Sequence, residues 1–161
     1  MVKSALQEEL RKKKPFDCPE QEAHLNLVRT ADYLARPFAE LMGEHDISGP
    51  QYNVLRILRG HGDAGLPCQE ITAQMVAHMP DITRLVDRLE AAGLAKRERI
   101  ERDRRVVLVR ITPAGLDLLK QLDRPVLDTH KRQLKHLTAA ELAELNRILV
   151  KIRRPEGAAE G

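Results

Sequence analysis

Tryptophan is absent from this 161-residue chain, and Phe16, Phe38, Tyr33 and Tyr52 supply all its aromatic rings. Leu, Ile, Val and Ala must therefore build the core. The same scarcity argues against stacking single-stranded nucleic acid on aromatic platforms. Cysteine is as rare. Cys18 and Cys68 make no disulfide framework, which fits a reducing cytoplasm. No hydrophobic run approaches membrane-spanning length, so no membrane partner is expected. The basic stretch MVKSALQEELRKKKPF lacks an apolar h-region and a small-residue cleavage site, and does not read as a secretory signal. Gly-rich phosphate loops, GxSxG and HExxH are missing too, so catalysis is unsupported and no cofactor is implied. The six histidines (His24, His45, His61, His78, His130, His136) form no i, i+4 pair, and no Cys/His cluster has zinc spacing.

What is present is charge, unevenly placed. From Arg84 to Arg110 nine Arg/Lys face five acids, a local balance of +4, whereas the whole chain carries +3. The remainder is slightly acidic, and the positive excess sits on one unit of about 30 residues. Phosphate binding needs such a clustered excess. The unit, MPDITRLVDRLEAAGLAKRERIERDRRVVLVRIT, reads as a helix followed at once by a charged β-hairpin.

Length favours one domain, and hydrophobic periodicity divides it. Residues 1 to about 14 suit a short amphipathic helix with Leu6 and Leu10 on one side, and Ser4 and Gln7 at capping-box spacing. Arg11-Lys12-Lys13-Lys14 is read first as a solvated run, with a phosphate or partner contact as the alternative. Residues 20 to 44 read as a long helix with Leu25, Val28, Ala31, Ala35, Phe38 and Met42 on one stripe, kinked at Pro37 and stopped at Gly43. Ser48 caps the next helix and Gln51 reaches back; Tyr52, Leu55, Ile57 and Leu58 follow, to Gly60. Residues 60 to 65 form a loop.

A short helix from Pro67 through CQEITAQMVAHM turns Ile71, Met75 and Val76 inward, and a turn follows at residues 77 to 79. Pro80 is expected at the first position of the next helix. There Ile82, Leu85, Val86 and Leu89 make a single buried stripe ended by Gly93, with Leu94 closing a hydrophobic contact. Helix, tight turn, helix matches a helix-turn-helix. Hairpin arms span residues 94 to 100 and 105 to 111, with the tip at 101 to 104. Val107, Val109 and Ile111 share one face of the second arm; Val106, Leu108 and Arg110 share the other.

Thr112-Pro113 opens a helix to about residue 136 that carries Leu116, Leu119, Leu122, Val126, Leu127 and Leu134, bent by Pro125. Thr138 and Glu141 make a capping box for a last helix with Leu142, Leu145, Leu149 and Ile152 on one side. The closing GAAEG should fray. The fold class is mainly α (α+β).

Three stretches, SGPQYNVLRIL, DITRLVDRLEAAGL and DRRVVLVRITPAG, lie in order over about residues 20 to 153. Together the chain resembles the MarR family of bacterial transcriptional regulators, winged helix-turn-helix homodimers. The resemblance implies a basic extension (1–19), dimerisation helices at 20–44 and 113–153, a winged helix-turn-helix over about 48–112, and a tail from 154. It implies that the recognition helix reads the major groove through Thr83, Arg84 and Arg88. The wing tip, residues 103 to 105, would sit near the minor groove, with Asp103 orienting Arg105. It further implies a small aromatic or phenolic ligand between dimer region and DNA-binding lobe, for which Tyr33, Phe38 and Tyr52 are candidates.

The residues support this independently. With the apolar stripe inward, Asp81, Thr83, Arg84, Asp87 and Arg88 face outward, and Arg84 and Arg88 are one turn apart. Arginine makes paired hydrogen bonds to guanine, and threonine donates, accepts or touches a thymine methyl. The alternative is a solvated face with weak ion pairs. Asp81 suits the helix N-terminus or a cytosine amino group. Arg104 and Arg105 suit a narrow minor groove. Arg102, Lys96, Arg97, Arg99 and Gln69 are candidates for phosphate. A bland hairpin tip is the competing reading.

The expected function is a homodimeric, sequence-specific, double-stranded-DNA-binding regulator, a repressor released by a ligand, on a pseudo-palindromic operator with half-sites roughly 10 bp apart. Two alternatives stand beside it. One is a redox-sensing regulator using Cys18, with Cys68 a buried small hydrophobe. The other is a winged-helix module for protein contacts without an operator.

Overall fold

The computed structural model describes residues 3–100 and 103–154, and for residues 100 and 103–105 the backbone alone. The chain forms two compact units, 1–126 and 127–161, so the division falls inside a helix. Among the described residues no helix is long and apolar enough to cross a membrane.

In the first unit α1 (Ala5–Glu9) is one short turn, much shorter than the sequence suggested. Ser4 caps it by accepting from the Gln7 amide, but Gln7 Nε2 donates to Lys12 O at 3.4 Å, so the box is not reciprocal. Leu6 is buried while Leu10 is exposed. Glu9 ties this segment to Arg29 at 2.7 Å. Helix α2 (Pro19–Gly43) runs unbroken through Pro37. Phe38 and Met42 reach the core, but Val28, Ala31 and Ala35 of its expected stripe are exposed. The chain reverses at Asp46 (φ 56), three residues beyond Gly43. There the amides of Asp46 and Ile47 donate to Gly43 O and Met42 O, so helix-end hydrogen bonds hold a left-handed aspartate.

Helix α3 (Gly49–Gly60) starts with the full Ser48–Gln51 capping box. A 3₁₀ turn (Gly62–Ala64) follows, then Gly65 and Leu66. Leu66 exchanges both backbone hydrogen bonds with Val109, at 3.0 and 2.8 Å, adding a one-residue third strand that no alternation pattern announces. Gly65 has φ +66, and a Cβ there would lie 2.9 Å from Val109 O, the acceptor of that pair. Gly65→Ala should therefore cost about 2 kcal/mol, from left-handed strain plus overpacking, read as a lower midpoint in thermal unfolding.

Helix α4 (Cys68–Gln74) is shorter than expected. Met75 is extended (ψ 138), the Val76 amide donates to Asn53 Oδ1 at 2.8 Å, and Val76 is 90% exposed rather than inward. The side-chain acceptor on α3 takes the amide and the helix ends. Helix α5 (Ile82–Ala91) is capped by Asp81, which accepts from the Arg84 amide at 3.0 Å; Pro80 therefore stands outside it. Leu85, Val86 and Leu89 are buried. Gly93 (φ +70) and Leu94 close the helix, donating to Glu90 O and Leu89 O.

Strands β1 (Ala95–Ile100) and β2 (Asp103–Ile111) are antiparallel. The register passes from Arg99↔Val107 to Ile100↔Asp103, one step on β1 for four on β2, so β2 begins within the expected tip. Val109 is fully buried, but the two faces are less distinct than expected, since Val106, Leu108 and Arg110 are half-buried like Val107 and Ile111. The core joins Met42, Leu55, Leu58, Ile71, Leu89, Val109, Leu119 and Leu122. Three helices and a hairpin packed this way form a winged helix-turn-helix in a mainly α, α+β chain.

Helix α6 (Pro113–Leu134) continues through Pro125 without a break. Thr112 Oγ1 accepts from the Gly115 amide at 3.1 Å and donates to Gly93 O at 2.7 Å, so one hydroxyl joins two helix ends. In the second unit Leu127 is exposed. Helix α7 (Ala139–Arg153) has its full Thr138–Glu141 capping box, yet no residue of it is buried; Leu145 and Ile152 of the expected inward stripe are exposed. The closing GAAEG lies outside the described residues.

Candidate nucleic-acid interface

The apolar stripe of α5 fixes which residues can leave its surface. With Leu85, Val86 and Leu89 buried, Thr83, Arg84, Asp87 and Arg88 are exposed. The Arg84 side chain is 79% exposed, and its nearest anion is Asp81, 3.5 Å from Nε. Such a pair stabilises little and costs little to exchange for another acceptor. Asp81 takes the capping role, the first of its two expected uses. Gln69 is exposed in the first turn of α4.

The hairpin returns along α5, and Arg97 on β1 is the joint. Its Nη1 lies 2.7 Å from Asp87 Oδ1 and 2.8 Å from Glu90 Oε2. Its Nη2 donates to Thr83 O at 3.3 Å, and its backbone amide donates to Glu90 Oε1 at 2.9 Å. Residues 83, 87 and 90 lie on one side of the helix, over two turns. The Arg97 side chain is only 25% exposed. The Glu90 carboxyl is held below the usual carboxylate range, first by the Arg97 amide and then by its guanidinium. Arg97 was a candidate for phosphate on charge alone; its guanidinium is instead engaged within the protein. Counting charge missed this. The signal was available as acids at 87 and 90 followed by an arginine just inside the next strand.

Lys96 and Arg99 are exposed on β1. Arg110 Nε lies 2.7 Å from Glu98 Oε2 across the hairpin. Asp103, Arg104 and Arg105 are on β2, but their side chains lie outside the described residues, as does Arg102 entirely. A half-open cleft of about 470 Å³ at the wing root is lined by Asp63, Lys96, Glu98, Arg110, Thr112 and neighbours. Its charged lining does not suit an aromatic ligand, and Tyr33, Phe38 and Tyr52 are not part of it.

Of those three, the structure brings two together. The Phe38 and Tyr52 rings meet edge to face, centroids 5.5 Å apart. Arg56 Nη1 donates to Tyr52 Oη at 3.0 Å. Tyr33 is 62% exposed, whereas Tyr52 is buried. Cys18 is exposed at the α2 N-cap. Cys68 is half-buried against the core. Among the described residues no His/Cys/Asp/Glu group could hold a metal ion.

Below the interface, Arg59 at the end of α3 grips Asp123 of α6 through two hydrogen bonds, 2.9 and 2.8 Å. Arg59 hydrogen bonding, with its charge and that of Arg56, holds the Asp123 carboxyl below its ordinary value. A depressed folded-state value means stability present above the unfolded value, near 4, and lost as pH falls through the folded one. Melting temperature should thus fall on acidification below about pH 4, and Asp123→Asn should make that fall shallower. Because Asp123 is 45% exposed, its loss at neutral pH should cost under about 1 kcal/mol.

Comparison with known proteins places this geometry. The MarR family model matches residues 47–107, from the start of α3 into β2. The HTH-type transcriptional repressor IacR of Pseudomonas putida is 30% identical over 123 residues, 76% of this chain and 72% of the relative. A MarR transcription factor from Planctomyces limnophilus, solved by crystallography, is 45% identical with a TM-score of 0.66, covering 84% of this chain and 98% of that one. A mutant Escherichia coli MarR complexed with operator DNA is 27% identical with a TM-score of 0.71, over 92% and 99% of the two chains. These relatives are named as regulators of transcription, not as enzymes. On its fold, its motifs and its sequence identity to them, the chain is a member of the MarR family of winged helix-turn-helix transcriptional regulators.

Proposed function

We propose that the protein is a homodimeric, sequence-specific, double-stranded-DNA-binding repressor that a small ligand releases from its operator. The observation that carries this is the division of α5. One side is buried in the core, and the other presents Thr83, Arg84 and Arg88 to solvent beside a basic wing. Thr83, Arg84 and Arg88 read base edges; Asp103, Arg104 and Arg105 serve the minor groove; Gln69, Arg102, Lys96 and Arg99 contact phosphate. The E. coli relative bound to operator DNA and the P. putida relative named as a repressor support the same reading.

Dimerisation through residues 20–44 and 113–153 fits the exposed apolar side chains there. Leu27 and Val28 on α2, and Leu145, Ile148 and Ile152 on α7, are exposed apolar side chains that a second copy of the chain would cover. An aromatic or phenolic ligand would border the Phe38–Tyr52 pair. It would favour a dimer whose lobes are wrongly spaced for DNA, and so lower affinity by population shift. Selection of bound duplexes from a random pool tests the whole reading. The expected product is a pseudo-palindrome with half-sites roughly 10 bp apart. Enrichment of no sequence would contradict it.

A further inference from the structure

The proposed reading helix is itself anionic. From Asp81 to Ala91 it carries Asp81, Asp87 and Glu90 against Arg84 and Arg88. Asp81 is occupied at the N-cap. Asp87 and Glu90 remain, with side chains 55% and 40% exposed, on the element that would lie against phosphate. Left alone they would repel DNA. Both close on one guanidinium, that of Arg97, at 2.7 and 2.8 Å, and that guanidinium also bonds Thr83 O beside the proposed reading residues.

We infer that Arg97 is a positioning and charge-masking residue for DNA reading: it neutralises Asp87 and Glu90, and fixes α5 against the wing, without itself touching DNA. This rests on the DNA-binding reading above and adds to it. Several observations favour masking over direct contact. The guanidinium already has three acceptors on α5, and the side chain is three-quarters buried. Its backbone amide is bonded to Glu90 as well, so the carboxylate is held from two directions. A residue reaching for phosphate would instead be free and exposed, as Lys96 and Arg99 are positioned to be.

The test uses the full chain on its selected operator and compares wild type, Arg97→Met, and Arg97→Met combined with Asp87→Asn and Glu90→Gln. Anisotropy titrations at 50 and 200 mM salt give affinity, and thermal unfolding reports folding. Arg97→Met unmasks two carboxylates in each subunit, so its affinity should fall about 10-fold at low salt and less at high salt, because salt screens repulsion. The triple variant removes the charges that need masking and should recover to within about 3-fold of wild type. A triple variant as weak as Arg97→Met, with both folded, would overturn masking in favour of direct contact or rigid placement alone. Wild-type affinity in Arg97→Met would overturn it also. Failure of wild type itself to prefer any duplex would instead remove the DNA-binding reading on which it rests. Should Arg97→Met unfold, Arg97→Lys takes its place. It keeps the charge but loses the fork, and should retain more affinity than the neutral variant if masking is the role.

Discussion

Arg84→Ala is expected to weaken operator binding about 30-fold or more, while stability stays within about 0.5 kcal/mol of wild type. The reasoning is stoichiometric. The proposed homodimer would present Arg84 twice, and a bidentate contact to guanine contributes about 1–3 kcal/mol of discrimination each time. Two such losses compound to about 30-fold at the low end, and far more at the high end. The fold should not notice. Asp81 caps α5 through the Arg84 backbone amide, which alanine keeps, and the Arg84–Asp81 ion pair is exposed. Affinity for scrambled duplex should change much less. Lys96, proposed above to contact phosphate, should behave differently: its loss should weaken all sequences alike and reduce the salt slope. Anisotropy titrations of both variants against both duplexes separate the two roles.

Gly115→Ala is expected to be the most damaging small substitution to stability, about 3 kcal/mol, which lowers the midpoint by about 6–12 °C in a chain of this size. Gly115 lies in the first turn of α6, where a Cβ would collide with Leu94 O and stand 2.8 Å from Ile111 Cγ1. The carbonyl cannot retreat. It accepts from the Thr112 amide at 3.1 Å, while the Leu94 amide is held by Leu89 O at 2.9 Å. The end of α5, the wing root and the start of α6 meet at this point, so relief of the clash must move α5 or the wing. Operator affinity should fall with stability. Gly43→Ala is the control: a Cβ at Gly43 meets nothing within 4 Å, and that variant should be as stable as wild type or slightly more so. Calorimetry of both at one protein concentration decides, since the proposed dimerisation would make melting concentration-dependent.

These two positions show what a sequence discloses. The outward set on α5 was legible because four apolar residues at helical spacing leave few other orientations for Thr83, Arg84 and Arg88. The capping boxes at Ser48 and Thr138 were legible because they are complete within four residues. Features set across the fold were not. α4 ends at Gln74 because Asn53, more than 20 residues earlier, accepts the Val76 amide. Leu66 pairs with Val109 as a single residue, too short to alternate. Gly115 looks like any glycine after Pro113 until Leu94 is seen beneath it. Arg97 reads by charge as one more cation for phosphate, although its guanidinium closes on Asp87 and Glu90, ten and seven residues earlier on α5. The apolar stripes of α2 and α7 read as inward faces, but Val28, Leu145 and Ile152 are exposed, because a pattern states that a face is apolar and not whether it is buried.

The most direct measurement is fluorescence-anisotropy binding of the wild-type protein to the duplex just upstream of its own coding region, against a scrambled duplex of equal length, at two salt concentrations. Tighter binding to the native duplex at both salts, with affinity falling steeply as salt rises, is the predicted result. Equal affinity for both duplexes, or none for either, across that region and the selected sequences would contradict sequence-specific reading by α5.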